Sequence, residues 1–425
     1  EKVKYANSKK VDIIICDHHT PGDSLPEAIA VLDPQRKDCE YPYKWLSGCG
    51  VSFKLVQAHS LKHNLPMSEL YKLLDLLCVS IASDIVPITG ENRILAYYGL
   101  QQLNTQPSLG LKTIIKVAGI GKEISINDIV FRIGPRINAA GRVESGRKSV
   151  ELLTADSEST AEDIALDIDT FNDQRKKLDH NITEEAIRHI KHSDIEPSKK
   201  TTVLFNSNWH KGVIGIVASR LTESFYRPTI ILTESNGLAT GSARSVEGFD
   251  LYYAISQCSE YLENYGGHKY AAGLTLKLEN LEPFKEKFEQ IVCETINDEM
   301  LTPQINIDAQ LKLSDITPEF YHMLQKFAPF GPNNTIPVFV TENVINFIGT
   351  RRVGRNNEHL KLVVVDDTRV CNDRSGIGFG MGNLYDKINT GHFFDICYTL
   401  QENEFMGKND IQMMLKDLHF QDDEN

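Results

Sequence analysis

The spacing of apolar positions along this chain changes several times, and each change marks an element. Val11 to Cys16 (VDIIIC) is a β-branched run closed by polar residues, the pattern of a parallel-sheet strand covered on both faces. After a turn at Gly48 and Gly50, the residues Val51, Leu55, Val56 and Leu61 recur at helical spacing. A further helix is predicted over about residues 68–81, and it delivers the loop ASDIVPITGENR with Asp84, Pro87 and Gly90. Strand and helix alternate, which predicts an α/β sheet domain.

From about residue 160 to 193 the pattern is long, polar and helical, without Pro or Gly. Ile164, Ile168, Phe171, Leu178, Ile182, Ala186 and Ile190 fall on one stripe, as expected of a connector helix that ends at DIEPSKK. A second α/β unit follows. TTVLFN and PTIILT read as strands, GVIGIVASRLTESF and Leu251–Tyr261 as helices, and GLATGSARS as a turn or strand. The last hundred residues carry short strand-like runs punctuated by Gly and Asn, the signature of a small barrel or sandwich. The acidic end QDDEN is expected to fray. The fold class expected is α/β: two α/β domains (1–158 and 199–300) joined by a long helix (159–198), then a small β-barrel (301–425).

Composition narrows the class. The 425 residues have ordinary globular hydrophobicity (41%) and charge (24%), and no apolar run reaches the ~18 residues of a membrane span. Eight scattered cysteines without a C-x-x-C argue against a zinc site or a disulfide framework and for reduced, cytoplasmic thiols. A net charge of −13 disfavours nonspecific coating of nucleic acid but leaves room for a local basic groove.

Chemistry concentrates in five places. Asp17, His18 and His19 stand at a strand end, where open α/β sheets bind ligands, and imidazole with carboxylate suits Mn²⁺, Mg²⁺ or Fe²⁺. The plain alternative is a surface turn capped by Asp17. Asp84 lies in a loop stiffened by Pro87 and reads either as a turn cap or as a ligand. FRIGPRINAAGRVESGRKS sets Arg132, Arg136, Arg142, Arg147 and Lys148 against Glu144 alone, with Asn138 among them. It reads as a phosphate-binding segment or a solvated basic loop. Ser242 and Arg244 in GSARS, and Gly266, Gly267 and His268 in an expected turn, let backbone N–H groups face an anion. In the tail, Arg351, Arg352, Arg355 and Lys361 lie near Phe347, Phe379, Phe393 and Phe394, a pairing that suits single strands unless the aromatics are core.

CDHHTPG, SGCGVSFKL, ASDIVPITGENR, RIGPRINAAGR, GVIGIVASRL, GSARS and GGHKYAAG, in this order, resemble the successive motifs of the DHH phosphoesterase superfamily. Within it they resemble the RecJ family of single-strand-specific 5′→3′ exodeoxyribonucleases, over nearly the whole chain. The resemblance implies a DHH domain, a DHH-associated domain and an oligonucleotide-binding barrel, with two Mn²⁺ or Mg²⁺ ions between the two α/β domains. It makes His18 and Asp84 metal ligands, places His19 at the scissile phosphate and gives Asp17 an orienting role. Gly266, Gly267 and His268 would close on the substrate phosphate. Ser242 and Arg244, with Arg136 or Arg142, would hold the DNA backbone or a 5′-phosphate. Implied partners are single-stranded DNA, a helicase and a single-strand-binding protein, with no membrane and a monomeric state.

Two departures bear on this. The family carries two aspartate motifs ahead of the Asp-His-His strand, whereas only EKVKYANSKK precedes it here and residue 1 is Glu, not Met. The chain is therefore expected to be an N-terminally truncated fragment that binds metal poorly and cleaves little. FGPNNTIPVF has Asn where the family usually has a second Gly, with little effect expected. Two alternatives remain: a DHH phosphodiesterase for nanoRNA or cyclic dinucleotides, which the barrel disfavours, and a catalytically dead binding scaffold.

Overall fold

The computed structural model describes residues 1–22, 24–192, 199–366, 373–405 and 408–420. The expected end of the connector helix at DIEPSKK and the acidic tail fall mostly or wholly outside them. Two compact units form: residues 1–102 with 305–425, and residues 103–304.

In the first unit, β1 (Ile14–Cys16) pairs in parallel with β2 (Ala30–Leu32), Cys16 opposite Leu32. The strand is shorter and barer than its sequence pattern predicts. Val11 is 54% and Ile14 56% exposed, because among the described residues β1 has only β2 as a neighbour. The Gly48–Lys62 helix starts at Ser47, whose hydroxyl accepts from the Gly50 amide, and buries Val51 and Phe53. The helix expected over 68–81 is broken into Met67–Tyr71 and Leu74–Ser83. The second piece buries Leu77, Cys78, Val79, Ile81 and Ala82, so it is the core helix of this region.

The same unit holds the barrel: β8 (Ala309–Gln310), β9 (Phe339–Asn346), β10 (Arg351–Val353), β11 (His359–Val365), β12 (Arg374–Gly378), β13 (Phe394–Phe405) and β14 (Lys408–Phe420). β11, β12, β14, β13 and β9 pair in sequence, and β9 pairs back onto β11, which closes a five-stranded barrel. Its core includes Phe339, Leu360, Leu362, Phe394 and Tyr398. The Tyr398 hydroxyl meets Thr341 Oγ1 at 2.8 Å, so its polar end is satisfied.

The second unit begins with helices. The basic segment expected as a loop is helical: a π-helical turn (Ile129–Ile133) runs into helices Gly134–Val143 and Arg147–Leu153. Pro135 sits in the first turn of the Gly134–Val143 helix, immediately after the π-helical turn. The long helix spans Glu158–His192 and buries Ala161, Ala165, Ile168, Ile182 and Ala186. A five-stranded sheet follows, in the order β3 (Thr202–Phe205), β4 (Thr229–Ser235), β5 (Leu238–Arg244), β7 (Ala271–Lys277), β6 (Leu262–His268). The Ile214–Phe225 helix covers one face, while Phe284, Phe288 and Val292 of the Leu281–Thr295 helix belong to the core cluster on the other.

Candidate active site

The Asp-His-His corner is braced from within. Asp17 Oδ1 accepts from the amides of His18 (2.7 Å) and His19 (3.3 Å) and meets His19 Nδ1 at 2.7 Å. Burial by itself would raise the Asp17 pKa, but the bonds from the His19 ring and the two amides outweigh it and hold the carboxyl below its usual value. Asp17 thus fixes the His19 ring through Nδ1 and leaves Nε2 as the working nitrogen.

His18 turns the other way. Its Nε2 stands 3.1 Å from Asp84 Oδ2, and Gly48 at the head of the Gly48–Lys62 helix lies against its ring. Asp84 caps the Leu74–Ser83 helix, its amide bonded to Ser80 O. The next residue, Ile85, has φ +56°, a left-handed conformation that costs a β-branched residue about 1–3 kcal/mol. The surrounding bonds impose it: Pro87 O accepts from Tyr43 Oη and Asn92 Nδ2, and the Ile88 amide donates to Pro332 O.

These residues fit a divalent ion. Adjacent ligands of a six-coordinate Mg²⁺, bound at ~2.1 Å, stand ~3 Å apart, close to the 3.1 Å between His18 Nε2 and Asp84 Oδ2. Imidazole and carboxylate are donors that Mn²⁺ accepts. The ligand atoms of Asp17, His18 and His19 also lie within 4.8 Å of one another.

In the second unit the predicted phosphate residues separate into two groups. Arg136 is engaged, its Nε 2.8 Å from Asp169 Oδ1, and Asn138 lies exposed on the same helix. Arg142 reaches out of that helix instead and donates to Gly212 O at 3.1 Å. A side chain at Gly212 would collide with Arg142 O, and one at Gly215 would crowd Ser242 Oγ and Arg244 Nη2. The glycines thus let the Ile214–Phe225 helix start against both arginine-bearing elements. Arg244 donates to Ser242 Oγ at 2.9 Å. Burial lowers the Arg244 pKa and Arg142 lowers it further; burial also lowers that of Arg142. Ser242, Arg244, Arg142 and a helix N-terminus therefore converge, as an anion site requires.

Gly266, Gly267 and His268 do not form the expected turn. They lie in edge strand β6, paired with β7, because Gly267 at φ +149° fits closely against Ala271 and Ala272. All three are exposed, with open space above Gly266.

The barrel sorts the tail residues by strand register. Arg351 lies opposite Lys361, and His359 meets Phe379 edge-on at 5.0 Å. Phe379 is 62% exposed. Burial, then Arg351, lowers the Lys361 pKa. Arg352 points elsewhere and is held by Gly382 O, Asp386 and the Tyr385 ring. Arg355 is exposed, Phe394 is core, and Phe347 and Phe393 stay accessible. Sequence reasoning missed the buried Asp179 of the long helix. Its one signal was Asn172, Arg175, Asp179 and Thr183 at helical spacing beside the apolar stripe.

Known proteins fit this geometry. Residues 1–81 match the N-terminal domain of the DHH family, 198–294 the DHHA1 domain and 307–417 the RecJ OB domain. That order defines the class: a DHH–DHHA1 protein with an oligonucleotide-binding-type barrel. The single-stranded-DNA-specific exonuclease RecJ of Bacillus subtilis (strain 168) is 36% identical over 420 residues, covering 98% of this chain and 52% of that protein. The RecJ of Escherichia coli (strain K12) is 30% identical over 436 residues, covering 98% and 74%. The crystal structure of RecJ in complex with Mn²⁺ from Thermus thermophilus superposes with a TM-score of 0.85 at 25% identity, over 99% of this chain and 60% of that one. The chain belongs to the RecJ family. It spans about half the length of the B. subtilis relative.

Proposed function

We propose that this chain serves a metal-dependent exonuclease that degrades single-stranded DNA from the 5′ end in recombination and repair. The observation that carries the reading is the 3.1 Å approach of His18 Nε2 to Asp84 Oδ2 beside a braced His19, in a chain of the RecJ family. His18 and Asp84 would hold Mn²⁺ or Mg²⁺, which when bound acidifies a water and steadies the leaving oxygen. His19, oriented by Asp17, would present Nε2 to the scissile phosphate. Arg142, rather than the ion-paired Arg136, would work with Ser242 and Arg244 on the 5′-phosphate, and the Gly266–His268 strand would meet the backbone. Arg351, Lys361 and Phe379 share the outward face of β10, β11 and the end of β12, which suits a single strand by charge and stacking.

Among the described residues the cysteines are free, which fits a reduced, cytoplasmic setting, and no helix is long and apolar enough to cross a membrane. A helicase would supply the single strand, with a single-strand-binding protein nearby, and the enzyme would act as a monomer. The test uses protein expressed from its complete reading frame with Mn²⁺ and 5′-phosphorylated strands labelled at either end. Early release of the 5′ label and little attack on duplex are expected. Early release of the 3′ label, or equal attack on duplex, would refute the polarity.

A further inference from the structure

The long helix carries a polar stripe at spacings of three and four residues, with Asn172 and Asp179 buried and Arg175 and Thr183 half-buried. Asp179 is 1% exposed, and its carboxylate lies 2.8 Å from Arg220 Nη2 and 3.9 Å from Arg175 Nη1. Neither oxygen reaches hydrogen-bond geometry, and Arg175 Nε, Asn172 Nδ2 and Thr183 Oγ1 are also buried without a partner. Buried polar atoms are rarely left so, and here four residues in a row share the condition.

Charge explains the arrangement. Arg220 lies on the Ile214–Phe225 helix, whose start touches Ser242 and Arg244 through Gly215. Arg142 is fastened to Gly212, two residues before that helix. Burial lowers the Arg175 pKa; Asp179 opposes this, while Arg142, Arg220 and Arg136 push it down further. Asp179 is likewise the acidic group that favours the charged form of Arg142. One enclosed carboxylate therefore pairs with two guanidinium groups, Arg220 and Arg175, and is the acidic group felt by a third, Arg142, which leaves a positive excess beside Ser242 and Arg244. A structural ion pair would be balanced and well bonded. This one is unbalanced toward the proposed phosphate site.

We propose that Asp179 is a positioning residue for the 5′-phosphate. It acts as a built-in counter-anion that keeps Arg142, Arg175 and Arg220 gathered when no phosphate is bound, while leaving enough positive charge to draw in a phosphate monoester. This rests on the reading of Ser242, Arg244 and Arg142 as the 5′-phosphate site. Asp179 touches no substrate; it acts through the arginines.

The experiment measures binding of 5′-phosphorylated and 5′-hydroxyl oligothymidylate to the 425-residue chain by fluorescence anisotropy in EDTA. It also measures the thermal midpoint in inorganic phosphate against chloride at equal ionic strength. The unaltered chain should prefer the phosphorylated strand by about tenfold, the worth of one charge-assisted contact. In Asp179→Asn the preference should fall below about twofold while affinity for the hydroxyl strand holds, because only the terminal phosphate meets the splayed arginines. Its midpoint should rise less with phosphate than that of the unaltered chain, since the splayed arginines hold a bound anion more weakly. Arg175→Gln combined with Asp179→Asn removes one charge of each sign and should restore the preference, which a packing role for Asp179 would not.

An unchanged preference and an unchanged phosphate response in Asp179→Asn would overturn the inference. If that variant does not fold, a folded double variant without the preference would overturn it equally. If the unaltered chain shows no preference, the assignment of the 5′-phosphate site fails instead. The thermal arm then still decides whether Asp179 positions the arginines for an anion: an equal rise with phosphate in both proteins would overturn it.

Discussion

The metal corner and the arginine cluster are built in opposite ways. The corner brings Asp17, His18 and Asp84 together from loop and element ends 66 residues apart, and His19 stays 66% exposed in its side chain. Its charges are few, and each has a near neighbour that orients it. The cluster sits on long helices and a central strand, and its charges are crowded and outnumber their counter-ion. Rigidity comes from local bonding in the first and from scaffold packing in the second. The difference suits the two proposed roles, exchange of an ion and water at the first and recognition of a fixed anion at the second.

Removing a ligand strikes the corner hardest. In protein expressed from its complete reading frame, His18→Ala should weaken Mn²⁺ binding by at least about a hundredfold, the upper range for losing a mere supporting partner. Titration calorimetry checks this, and the preference for a 5′-phosphate should survive. Arg244→Gln should do the reverse: Mn²⁺ binding unchanged, and affinity for 5′-phosphorylated strands lower by about ten- to a hundredfold, as for a charged hydrogen bond. If both variants lowered both affinities, the two sites would not be separable.

Ile85→Gly relieves a left-handed β-branched residue, yet it frees the unfolded chain. A change in stability within about 1 kcal/mol is expected, with Mn²⁺ affinity a few-fold weaker as Asp84 loosens; denaturant titration and calorimetry read the two. Arg352→Ala should be the mildest. Its guanidinium is already engaged by Asp386 and Gly382, so strand affinity should change by under about twofold and stability by ~0.2–1 kcal/mol. A strongly salt-sensitive loss of strand binding would restore Arg352 to the DNA-binding face.

The corner was legible in the sequence and the cluster was not, for a physical reason. Asp17, His18 and His19 are adjacent, and their chemistry is local. Asp84 follows an apolar helix, so its position at a helix end could be read from periodicity. The choice between Arg136 and Arg142 depended on where Asp169 and Gly212 lie, which no spacing along the chain reveals. Asp179 was hidden because a polar residue on a long polar helix looks solvated until packing encloses it. The Gly266–His268 segment was misread as a turn because glycine pairs signal turns, whereas here the small residues serve close strand packing. The FGPNN departure was readable in advance and has an observable counterpart. Asn333 takes φ +60° where the family usually has glycine, a conformation asparagine tolerates better than most residues.

That FGPNN loop has a mechanical meaning. Pro332 O receives the Ile88 amide, Arg93 grips the carbonyls of Lys326, Phe327 and Ala328, and Asn334 ties the loop to Phe327 and Pro329. Ile88 is four residues from Asp84 along the chain. The segment before the barrel is thus tied to the Asp84 loop by direct hydrogen bonds and not by chain connectivity alone. Replacing or removing the barrel would therefore also remove the hydrogen bonds that hold the loop following Asp84.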